Sequence, residues 1–253
     1  MRRSGYFEAL GLTPYWFAHV VSNVVDDPQA YLRELHYILA EDGSATSLCN
    51  AFPRWSNLHF FIAEIFESVV HEPTEEGSAT FRAFLELMDA PKDWFDDIDE
   101  EGPGEIILTE LYEKGRDRLV EEVFHIVFRD VSLLARFNAI VANYISDFGE
   151  DTGNEDERFT TRGTLRRVAV PSYVRDAIYF RDGGECRTCK KPIDRVLSPE
   201  ARERYDHIVP LAHGGANDIT NIQLLCEACN AAKSARSETV SGLYPRVYRL
   251  SIG

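Results

Sequence analysis

Two Cys-x-x-Cys pairs, Cys186/Cys189 and Cys226/Cys229, bracket a segment that carries Asp206, His207, a Gly214–Gly215 pair and Asn221, and Asn230 follows the last cysteine. Each pair lets two thiolates from one tight turn reach a single tetrahedral ion at about 2.3 Å. One such pair alone could be a redox dithiol. Two pairs flanking a compact stretch rich in Gly and Asn point instead to a structural zinc held by Cys186, Cys189, Cys226 and Cys229. Such an ion staples a module whose own core is thin. Between the pairs, His207 is a candidate general base, because an unperturbed imidazole titrates near pH ~6.5. An isolated histidine is usually a core residue, but this one stands directly after Asp206 and before Asn221. Asp206 and Asn230 suit a second metal, and the set has the chemistry of a metal-assisted phosphodiester hydrolase.

Short elements must position these groups. The run from Arg204 to Pro210 reads as a strand, in which neighbouring side chains point to opposite faces, so Asp206 and His207 diverge unless a twist or bulge intervenes. Pro210 ends the strand, and Gly214–Gly215 permits a reversal with positive φ. Leu224 and Leu225 read as buried, and a short helix from Ala228 to Ser234 brings Asn230 back opposite Asp206. Upstream, Pro171-Ser172-Tyr173 opens an amphipathic helix with Val174, Ile178 and Tyr179 on its apolar side, ending near Asp182-Gly183-Gly184.

The rest of the chain has a different character. Residues 1–157 hold 11 Lys/Arg against 32 Asp/Glu, a balance of −21, whereas residues 158–253 hold 16 against 10, a balance of +6. A polyphosphate is repelled by the first part and drawn to the second. Helical spacing predicts elements from Pro28 to Leu39, from Asn57 to Val69, around Phe81–Met88, and from Glu105 to Phe148 as one long helix or two stacked ones. Asp93–Gly104 reads as an acidic loop and Gly149–Glu157 as a linker. The expected class is α+β, with an acidic all-α domain over 1–148, a linker and basic arm over 149–164, and a small zinc-stabilised ββα domain over 165–253. Cys49 stands alone and reads as a small core residue. No run is apolar enough to span a membrane, and the N-terminus lacks a signal-peptide pattern, so a cytoplasmic protein is expected.

The run from Asp206 through Lys233, D-H-I-V-P-L-A-H-G-G-A-N-D-I-T-N-I-Q-L-L-C-E-A-C-N-A-A-K, resembles the HNH endonuclease family of ββα-metal nucleases. The entry Tyr179–Cys186 is similar to that of its zinc-containing members, and the resemblance covers roughly residues 165–240. It implies His207 as the general base, Asp206 as the acidic metal ligand and Asn221 as the residue that holds the metal loop and base. It implies Asn230, at the family's final H, as the second ligand of a catalytic Mg²⁺ or Mn²⁺. DNA is the implied substrate, cut as nicks or double-strand breaks, in a role such as anti-phage defence or mobile-element biology. The chain departs from the common pattern in its long insert, Lys190–Tyr205, with a helix-like stretch at Pro199–Arg204, and in Asn at position 230.

Around this core, Arg162, Arg166, Arg167, Arg175 and Lys233 are candidate contacts to a phosphate backbone, which position a substrate without reading its sequence. His213 reads as a loop residue. The helical half is expected to bind a protein partner or self-associate. Two other readings stand beside the nuclease: a catalytically silent, zinc-stabilised nucleic-acid-binding adaptor, and RNA cleavage by the helical half. The second rests on Arg118 and His125, whose spacing resembles the Arg…His pair of helical HEPN ribonucleases, with Leu119 in place of the polar residue usual there. The charge cluster Asp96–Glu101 reads as a solvated loop.

Overall fold

The computed structural model describes residues 13–28, 44–70, 103–152, 155–193 and 203–233. In chain order the elements are α1 (Pro14–Asp26), α2 (Ser44–Leu48), α3 (Asn57–Val70), α4 (Pro103–Val127), α5 (Val131–Thr152), α6 (Ser172–Arg181), β1 (Arg204–His207), β2 (Ile222–Leu225) and α7 (Glu227–Lys233). Over the described residues the protein is thus mostly helical with one small antiparallel sheet toward its C-terminus, an α+β arrangement. The chain divides into two compact units, one of 1–38 with 55–127 and one of 39–54 with 128–253. The expected helices after Pro28 and over Phe81–Met88, the Asp96–Glu101 cluster, and Pro199–Arg202 lie outside the described residues.

In the first unit α1 and α3 pack on α4. Thr13 starts α1 by accepting the Trp16 N–H at 3.2 Å, and Pro14 occupies the first turn. The buried residues recur at helical spacing: Phe17, Val21, Val24 on α1, Leu58, Phe61, Ile62, Ile65 on α3, and Val120, Val123, Phe124 on α4. A capping box starts α3, with histidine in the place usual for Glu or Gln. His59 N–H donates to Ser56 Oγ at 3.4 Å, and His59 Nδ1 accepts the Ser56 N–H at 3.0 Å. The His59 ring stacks on Phe124 with centroids 3.8 Å apart. Pro103 and Gly104, read as the end of a loop, instead open α4, where a first-turn proline loses no helical bond. On the exposed face of α4, Arg118 bonds Glu122 at 3.1 Å and His125 lies 3.8 Å from Glu121.

The long apolar run from Glu105 to Phe148 is two helices, α4 in the first unit and α5 in the second, broken at Phe128–Asp130. The Asp130 carboxylate caps α5 by accepting the N–H groups of Ser132 and Leu133, both at 3.0 Å. The helix continues to Thr152, so Gly149 lies inside it and not at the head of a linker. A Cβ there would sit 2.2 Å from the Gly163 carbonyl and 2.7 Å from the Phe159 ring, so this glycine serves a close approach. The basic segment that follows is folded back, with a Phe159–Leu165 bridge and Arg158 bonded to Asp156 and to the Thr46 carbonyl. β1 and β2 pair antiparallel from Arg204–Leu225 to His207–Ile222, and α7 packs against β1. Among the described residues no helix is long and apolar enough to cross a membrane.

Candidate functional site

The first cysteine pair sits on a turn entered through Gly183 and Gly184, both at φ 66°. The turn is closed by Cys186 N–H to the Lys191 carbonyl at 2.9 Å and by Lys190 N–H to the Cys186 carbonyl at 2.8 Å. The second pair lies at the start of α7. Arg187 N–H, bonded to the Leu224 carbonyl at 2.9 Å, ties the two knuckles together. All four Sγ atoms fall within 4.8 Å of one another. Cys189 and Cys226 sulfurs are 3.8 Å apart, the edge expected of a tetrahedron of sulfurs about 2.3 Å from its centre and far beyond a covalent S–S bond of about 2.05 Å. Burial pushes the Cys186 thiol up, but backbone N–H groups of Cys189, Cys226 and Thr188 outweigh it and bring the pKa down to about 7. Burial, then hydrogen bonds to Cys226, Cys189 and Cys186, push Cys229 up. One sulfur of the cluster favours the thiolate while another resists it, and a divalent cation at the centre removes that conflict. The donor set fits a structural zinc.

β1 carries Asp206 and His207 on opposite faces, as strand alternation requires. His207 is 1% exposed. Its Nε2 lies 3.2 Å from Asn217 Oδ1, and its Nδ1 is buried without a partner among the described residues. Burial first, then the Arg167 charge, push its pKa down to about 4, so the ring is neutral at pH 7. On the other face Asp206 meets α7: Lys233 Nζ donates to Asp206 Oδ2 at 2.6 Å and to the His207 carbonyl at 2.5 Å. Lys233, expected on a phosphate, is itself 1% exposed and holds α7 to β1. Asn230 stands one turn before Lys233 and shares its helix face, the one turned to β1.

Asn221, fully buried, closes the loop between the strands. Its Oδ1 accepts the Val209 N–H at 2.8 Å, and its Nδ2 donates to the carbonyls of Val209 at 3.0 Å and Ala216 at 2.9 Å. The same loop rests on α5. Gly214, at φ 79°, lies so close that a Cβ would meet Ser146 Oγ at 2.3 Å and the Ala142 carbonyl at 2.4 Å. Asn138 of α5 donates to Thr220 Oγ1 at 3.2 Å.

Arg162, Arg166, Arg167 and Arg175 are all exposed on this unit, as is His213. Two residues of the site carry no signal in the sequence reading. Asn217, which faces His207, sits in a Gly/Ala/Asn/Asp stretch that reads as turn material. Phe52, whose N–H donates to the Asn217 carbonyl at 2.7 Å, comes from the distant N-terminal half.

Residues 186–236 match the family model described as HNH endonuclease. No curated protein and no solved structure matches the chain. The matched segment spans both knuckles, β1, β2 and α7, so the C-terminal part of the chain carries an HNH domain, a fold used for nuclease or nucleic-acid-binding roles.

Proposed function

We propose that the HNH domain is a metal-dependent endonuclease that hydrolyses DNA phosphodiester bonds, with His207 as the general base. The observation that carries this reading is the geometry of His207: it follows Asp206 on β1, its Nε2 is engaged by Asn217, and its Nδ1 has no partner among the described residues. Nδ1 takes the proton from a water attacking phosphorus, and the bond to the 3′-oxygen breaks. Asp206 and Asn230 would hold a Mg²⁺ or Mn²⁺ ion. Lys233 engages only Oδ2 of Asp206, orienting the carboxylate and leaving Oδ1 to the ion. When bound, the ion polarises the phosphate and stabilises the leaving oxygen. Asn221 keeps the loop that follows the base in register with β2. Arg162, Arg166, Arg167 and Arg175 supply backbone contacts to DNA. The helical unit serves partner binding or self-association that restrains the nuclease, which suits cytoplasmic anti-phage defence or mobile-element biology.

Supercoiled plasmid incubated with Mg²⁺ or Mn²⁺ tests the reading. The protein nicks it, chelation stops the reaction, and Asp206→Asn, which keeps an oxygen for Lys233, slows it by roughly 100-fold. Equal nicking by the variant overturns the metal assignment. A wild-type protein that retards DNA in a gel but cuts nothing in either metal overturns the enzyme reading in favour of the binding adaptor.

A further inference from the structure

We infer that Asn217 is the positioning residue that selects the tautomer of His207, held in that task by backbone groups of Phe52 and Arg166, which lie outside the matched nuclease segment. The inference rests on the reading of His207 as the base. Its starting point is Arg166, because a peptide carbonyl can only accept a hydrogen bond. Asn217 Nδ2 lies 2.8 Å from that carbonyl, so the amide NH₂ must face Arg166 and the amide oxygen must face His207. An amide oxygen carries no proton, so Nε2, 3.2 Å away, must be the donor. In a neutral imidazole Nδ1 then bears the lone pair, and Nδ1 is the buried nitrogen that no group among the described residues engages.

The third fixed point is the Asn217 carbonyl, which accepts the Phe52 N–H at 2.7 Å. Phe52 holds φ at 50°, a left-handed conformation that residues with bulky side chains rarely adopt. Its ring is buried, and the Tyr173 hydroxyl donates to its carbonyl. Arg54 in turn covers the Tyr173 ring at 3.8 Å. A strained backbone, fixed on both sides, thus presents one N–H to Asn217. The tautomer of the base is therefore set by a segment far upstream of the two cysteine knuckles, with Arg166 as the other anchor.

The test is ¹⁵N-edited NMR of the imidazole groups in the full-length zinc-loaded protein, with His207→Gln used to assign the resonance among the seven histidines. Wild type shows a pyridine-like Nδ1 and a protonated Nε2. Asn217→Ala loses that preference, and kcat falls about 10- to 100-fold while KM stays within about twofold. Asn217→Asp keeps an oxygen for Nε2 but loses the bond to Arg166, so it retains the tautomer at an intermediate kcat. A wild-type ring protonated on Nδ1 overturns the inference, and so does an alanine variant with unchanged tautomer and kcat. Should Asn217→Ala not fold, the wild-type and Asn217→Asp spectra still decide. A wild type with the expected tautomer and no cleavage refutes the nuclease reading while leaving the positioning contact intact.

Discussion

Asn221→Ala removes a side chain that is fully buried and makes three hydrogen bonds across the loop between β1 and β2. The alanine strands one N–H and two carbonyls, and each buried polar group left unpaired costs about 1–3 kcal/mol. Partial relaxation brings the sum to about 3–6 kcal/mol, a large share of the ~5–15 kcal/mol that holds a domain together. At roughly 2–4 °C per kcal/mol for a chain of this size, Tm falls by roughly 10–20 °C. Thermal unfolding of the zinc-loaded protein, followed by circular dichroism, reads the shift. Asn221→Asp is at least as damaging, because it keeps the acceptor for Val209 N–H but turns an oxygen toward two carbonyls. A Tm within about 2 °C of wild type for both variants refutes the clamp, since no loop can lose three buried bonds at that cost.

Other parts of the site give their own outcomes. One zinc per chain is expected by elemental analysis, and chelation exposes the four knuckle thiols to a thiol reagent while Cys49 stays protected until the unit unfolds. Burial raises the Cys49 pKa to about 11, so its contribution to stability is intact below the unfolded value and lost as pH rises from about 9 toward 11, a trend read by denaturant titration. Lys233→Met strands Asp206 and costs about 2–4 kcal/mol in urea unfolding, yet leaves the salt dependence of DNA binding unchanged; a slope reduced by about 0.9 would put the lysine on a phosphate. Gly214→Ala forces a Cβ against Ser146 and Ala142 of α5 from a left-handed backbone and costs about 2–4 kcal/mol. An unchanged urea midpoint would mean that α5 does not pack on this loop.

The cysteine spacing and the helix and strand signals around it were readable because each is local. Proline before α6, glycines before the first knuckle, and alternation along β1 announce themselves within a few residues. The α4–α5 break was left open by periodicity and decided by the Asp130 cap. Other features depended on contacts that periodicity does not encode. The charge step at residue 158 reports surfaces, whereas the buried face of α5 gives no sign of which loop it will cover, and it covers Gly214 and Thr220. Lys233 reads as a surface cation because lysine is seldom buried without a partner, and its partner Asp206 reads from the sequence as a metal ligand. Asn217 was hidden among turn-forming residues, and Phe52 acts on it through a backbone N–H that its side chain does not advertise.

The most direct measurement of the central claim is the single-turnover nicking rate of supercoiled DNA in Mn²⁺, wild type beside His207→Ala, with both proteins shown to carry zinc and to unfold at similar temperature. Loss of the general base predicts a rate roughly 10²- to 10⁴-fold lower in the variant. A variant that nicks as fast as wild type contradicts the assignment of His207, and with it the catalytic account of this domain.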